Sequence, residues 1–87
     1  MKIKDGFILR KIADNYIVVA VGDRIKDFNG VINLNETGAL LWRTLQMGAE
    51  IDDLVKALLN EYDVSEEIAL NDVNNFVYKL QEAKLIK

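Results

Sequence analysis

The chain has 87 residues, 51% of them apolar and 29% charged, the balance of one water-soluble α+β-sized domain rather than a disordered segment. Cysteine and histidine are both absent, which excludes disulfide staples, thiolate or imidazole zinc sites, and Ser-His-Asp or Cys-His nucleophile systems. The net charge of −3 hides an asymmetry: residues 1–34 carry six basic and four acidic side chains, residues 35–87 five basic and ten acidic. An acidic C-terminal portion repels phosphate backbones, so binding of something other than nucleic acid is expected, and catalysis is not. The longest apolar run, residues 16–21, is too short to span a bilayer, and no signal-peptide pattern opens the chain, so a cytoplasmic protein without a membrane partner is expected.

In chain order, residues 7–12 and 16–21 are rich in β-branched and aromatic residues and read as two strands. Between them lie Ala13, Asp14 and Asn15; Asp and Asn tolerate left-handed backbone, so the pair predicts a hairpin. Gly22-Asp23 ends the second strand, and Asn29-Gly30 forms a turn before a short third strand, Val31-Ile32-Asn33-Leu34. Three helices follow. Asn35 suits the N-cap of the first and Gly48 its left-handed end, with Ala39, Leu41, Trp42 and Leu45 at helical spacing between them. The second runs from about residue 51 to 62, with Ile51, Leu54, Val55, Leu58, Leu59 and Tyr62 on one face. Ser65 caps the third, whose apolar set is Ala69, Val73, Phe76, Val77, Leu80 and Ala83; Leu85 and Ile86 close the chain as a short extended tail. A three-stranded antiparallel sheet followed by three helices, in one domain over residues 1–87, is an α+β fold of the winged helix-turn-helix kind.

Several constellations have plain structural readings. Asp27, Asn29, Gly30 and Glu36 match a calcium loop except at its first ligand position, which is Ile25 and has no side-chain oxygen; the segment reads as a turn. The pairs Asp52-Asp53 and Glu66-Glu67 begin helices, where the dipole favours them, and neighbours on a helix do not converge on one atom. No resident metal or cofactor is expected. Trp42 and Phe76 fit the core, whereas Tyr78 falls on the polar side of the third helix. That helix carries Glu66, Glu67, Asp72 and Glu82 against Lys79 and Lys84, with no arginine, so it is poorly suited to a DNA groove. A transcription-associated winged helix binding DNA or a protein is therefore the second reading, and a subunit bracing a larger enzyme a third.

The sheet edge remains. Val31, Ile32, Asn33 and Leu34 bring neither charge nor proline to block strand pairing, so an extended peptide can add there. Coverage of that edge by a chain terminus, or by a second copy in a homodimer, is the equal alternative on physical grounds.

The run from Asp27 to Trp42, with Leu34-Asn35-Glu36-Thr37-Gly38 at its centre, resembles the signature of the pyrroloquinoline quinone biosynthesis protein D family. Leu54, Leu58, Glu61-Tyr62-Asp63-Val64, Asp72-Val73, Phe76, Leu80 and Leu85-Ile86 continue the likeness over nearly the whole chain. The resemblance implies a precursor-peptide recognition element. Such a domain is a non-enzymatic chaperone that binds the leader of a ribosomally made peptide and presents it to a modifying enzyme, often a radical S-adenosylmethionine enzyme. It also implies that the leader adds to the third strand and lies against the third helix, which here means Val31, Ile32, Asn33 and Leu34 with Asp72, Phe76 and Lys79. Of the two rims beside the helix's core stripe, the expectation falls on Ile68, Asp72, Asn75 and Lys79 rather than on Leu70, Asn74 and Gln81.

Overall fold

The computed structural model describes residues 1–26, 28 and 30–87. Strands β1 (Phe7–Ile12), β2 (Asn15–Ala20) and β3 (Val31–Leu34) form an antiparallel sheet in the order β1-β2-β3. Helices α1 (Glu36–Gln46), α2 (Ile51–Glu61) and α3 (Glu66–Glu82) cover one face of it, which is the α+β arrangement the sequence predicts. The expected turn and the calcium-like spacing involve Asp27 and Asn29, which lie outside the described residues.

Strand alternation decides which side chains face the helices. Phe7 and Leu9, Tyr16, Val18 and Ala20, and Ile32 and Leu34 point inward and join a core with Trp42, Leu45, Leu54 and Leu80. The opposite face is also apolar: Ile8, Val19 and Val31 line up across the three strands, with Ile17 beside them. Trp42 is fully buried, as its spacing predicts, although its indole Nε1 has no protein partner. Leu59 departs from the expected α2 face and is 37% exposed, whereas Leu54, Val55 and Leu58 are buried and Ile51 and Tyr62 pack partly against the core.

The hairpin differs from its expectation in one residue. Ile12 pairs with Asn15, so the turn is Ala13-Asp14, and the left-handed residue is Ala13 at φ 56° rather than Asp14 or Asn15. Register decides this: pairing of Ile12 with Asn15 leaves only two residues for the turn, and such turns need positive φ at the first. After β2, which stops at Ala20, the chain makes a short 3-10 turn over Gly22–Lys26 that the sequence reading had not resolved. The chain ends also meet. Ile3 bridges Ile86, Lys4 N donates to the Leu85 carbonyl at 2.8 Å and Lys87 N to the Lys2 carbonyl at 2.9 Å, which buries Ile3 and Leu85.

Local capping fixes the helix starts. Asn35 Oδ1 accepts from Gly38 N at 2.8 Å and from the Thr37 hydroxyl at 2.9 Å; Ser65 Oγ accepts from Ile68 N at 3.2 Å. Asp53 accepts from Glu50 N at 2.9 Å, so one member of the Asp52-Asp53 pair is a capping group. Gly38 has a packing reason: a Cβ there would sit 3.2 Å from Asn35 Oδ1 and 3.3 Å from Leu34 Cβ, crowding the cap and the last core residue of β3.

Two stability measurements follow from this geometry. Ala13→Gly relieves a left-handed L-residue and should raise the unfolding free energy by about 1 kcal/mol, seen as a higher denaturant midpoint at unchanged slope. Asn35→Ala removes the acceptor at the start of α1 and should lower it by about 1 kcal/mol in the same titration.

Candidate functional site

β3 is bonded to β2 on one side only, and among the described residues no strand pairs with its other side. Antiparallel pairing directs the N–H groups of successive residues alternately toward β2 and toward the free edge. Within β3, Leu34 is buried, Ile32 half-buried, and Asn33 and Val31 exposed, the last at 53%. The residues expected to receive a peptide strand therefore divide into two inward anchors, Ile32 and Leu34, and two outward side chains, Val31 and Asn33.

α3 supplies the second wall. Asp72, Phe76, Lys79 and Ala83 follow one another at i, i+4, i+7 and i+11 and so form one stripe along the helix. Phe76 and Ala83 are half-buried against the core, while Asp72 and Lys79 are exposed. A cavity of about 230 Å³ joins this stripe to the residues just past β3: Asn35, Thr37 and Gly38 on one side, Asp72, Asn75 and Phe76 on the other. Leu41 and Leu58 complete its lining. Two of the three expected α3 residues thus meet the end of β3, and Lys79 lies one turn further on. Tyr62 stands against Glu36 nearby; partial burial first, and the Glu36 carboxylate next, raise its phenol above the ordinary pKa, so it remains a donor to Glu36 at neutral pH.

The stripe ends at a second cavity, of about 390 Å³, where Ala83 and Lys84 meet Phe28, Phe7, Lys4 and Arg24. Phe28 precedes β3 by three residues and Asn35 follows it directly, so each cavity has a lining residue close in sequence to one end of the strand. In the sequence Asn35 reads as a helix cap and Thr37 and Gly38 only as part of the family signature, and nothing local joins Lys4 to Lys84. A larger hollow of about 540 Å³ runs along α3 at Glu67, Leu70 and Asn74, but residues of that helix alone line it, with no second wall. Leu70 and Asn74 belong to the other rim, as does Tyr78, which is 64% exposed. No helix among the described residues is long and apolar enough to cross a membrane.

Two solved structures share this architecture. TbiB1, in complex with the TbiA(beta) leader peptide, superposes with a TM-score of 0.78 at 23% identity, covering 100% of this chain and 95% of its own. A lasso peptide synthetase B1 complexed with the leader peptide gives a TM-score of 0.74 at 20% identity, covering 97% of this chain and 93% of its own. No curated protein sequence matches the chain. The family model described as coenzyme PQQ synthesis protein D matches residues 10–86, from β1 through α3 to the bridging residue Ile86, and the chain belongs to that family, PqqD.

Proposed function

We propose that this domain captures the leader segment of a ribosomally made precursor peptide as a fourth strand on β3, alongside α3, and presents it to a modifying enzyme. The observation that carries the reading is the edge of β3 that no strand pairs among the described residues, together with the cavity where the residues following β3 meet Asp72 and Phe76 of α3. Main-chain hydrogen bonds to Val31, Ile32, Asn33 and Leu34 supply affinity, and side chains lodged between β3 and α3 supply selectivity. The two similar structures, both solved with leader peptides, support it.

The reading is of binding rather than catalysis: the chain offers no histidine or cysteine, and Asp53, one of its paired carboxylates, is engaged as a helix cap. A cytoplasmic setting suits a partner that is a newly made peptide. The modifying enzyme is of the class that acts on such peptides, and a radical S-adenosylmethionine enzyme is one member of it. Pairing of two copies through β3 would use the same edge, so a homodimer and a leader complex compete for it. DNA binding through α3 is disfavoured by its exposed Glu66, Glu67, Asp72 and Glu82.

Proline substitution tests the strand. Val31→Pro and Ile32→Pro each delete one N–H, and by alternation one faces β2 while the other faces the free edge. The variant that retains the native amide spectrum should bind a leader peptide encoded beside the gene at least about tenfold more weakly in calorimetry, having lost a ladder hydrogen bond and its fit to the strand. Unchanged affinity in that folded variant would contradict strand addition.

A further inference from the structure

The two cavities that end the α3 stripe differ in charge. Beside Asn35, Asp72 is the charged lining residue; beside Phe28 the charges are Lys4, Arg24 and Lys84, and no carboxylate lines that cavity among the described residues. Its floor is aromatic, with Phe7 and Phe28 meeting edge-to-face at 5.6 Å between ring centroids. Arg24 is already engaged. Its Nε donates to the Asp5 carbonyl at 2.9 Å, its guanidinium lies 6.0 Å from the Phe7 centroid, and it borders a neighbouring hollow with Asp5 and Asp23. Lys4 and Lys84 are therefore the cations that an incoming anion would meet.

Both lysines are placed by the backbone. Lys4 is held by its N–H bond to the Leu85 carbonyl, at 2.8 Å. Lys84 occupies a left-handed conformation at φ 61°, where the chain leaves α3 to form the bridge between Ile86 and Ile3. The negative end of the α3 dipole accounts for one cation there, but not for a second one arriving from the opposite end of the chain into a cavity that two aromatic rings also line. Lys4 is half-buried and Lys84 exposed, and cations beside apolar surface favour a carboxylate that brings its own hydrocarbon stem.

We propose that this cavity receives an acidic side chain of the captured peptide, held by Lys4 and Lys84, and that Asp72 at the other end faces a cationic or hydrogen-bond-donating residue. The inference rests on the strand-addition reading and extends it to the class of peptide. From Asp72 to Ala83 the helix rises roughly 16 Å, which an extended peptide covers in about five residues. The leader selected is thus one with an acidic residue about five positions from a basic or donor residue, and the charge order sets the direction in which it lies.

The test is calorimetric titration of the synthetic leader peptide of the precursor encoded beside the gene against the wild type, Lys4→Gln, Lys84→Asn and the double variant. Asn suits the left-handed position of Lys84, and Lys4→Gln keeps the backbone bond to Leu85, so both substitutions are compatible with the fold. The expected result is a loss on the order of 3-fold for each lysine and 10-fold for the pair. One peptide acidic residue changed to its amide should reproduce that loss on the wild type and add nothing further on the double variant. A peptide that shifts the amide signals of Val31–Leu34 yet binds the double variant as tightly as the wild type would overturn the cavity assignment and leave strand addition intact. A peptide that leaves those signals unmoved on the wild type would overturn both.

Discussion

The change of direction between Leu34 and Glu36 is the constraint on which the rest of the molecule depends. Leu34 is the last buried residue of β3, and two residues later the chain is already helical, because Asn35 bonds both Gly38 N and the Thr37 hydroxyl. Gly38 lets the first turn of α1 close against Leu34 without displacing it. The chain therefore enters the helical layer instead of adding a fourth strand of its own. β3 stays short and at the edge, with no strand on its outer side among the described residues, and the start of α1 meets Asp72, Asn75 and Phe76 of α3 across a cavity.

Under the proposed reading, a domain with so few chemically specialised residues would select its peptide through side chains. Backbone pairing along β3 is indifferent to sequence, so discrimination would come from the two cavities and from the stripe of α3 between them. The charge asymmetry of the sequence is redistributed on folding. Lys4 and Arg24, from the basic N-terminal third, meet Lys84 at the end of the acidic C-terminal part, while Asp72 keeps the opposite end of the groove acidic. The outer sheet face, with Ile8, Val19 and Val31 in register, would be continued by the outward side chains of any strand added to β3.

Much of this was legible residue by residue because its causes are local. Asn35, Gly48 and Ser65 cap helices where their chemistry predicts, and the apolar spacing of α1 and α3 identifies Trp42, Leu45, Val73, Val77 and Leu80 as core. The departures have non-local causes. Ala13 adopts positive φ because cross-strand register shortens the turn, against its own preference. Ile3 and Leu85 are buried through a bridge between the two ends of the chain, which no periodicity announces. The candidate site follows the same division: β3 is a sequence pattern and the Asp72–Lys79 stripe an implication of the family resemblance, whereas the cavities join residues far apart in the chain, Asn35 to Asp72 and Lys4 to Lys84.

The most direct measurement of strand addition is amide hydrogen exchange of the domain with and without a saturating leader peptide. The account predicts new protection at those β3 residues whose N–H faces the free edge, alternating with β3 positions already protected by β2, and little change in β1. Protection gained on α3 or the outer sheet face with none at the free edge of β3 would contradict it.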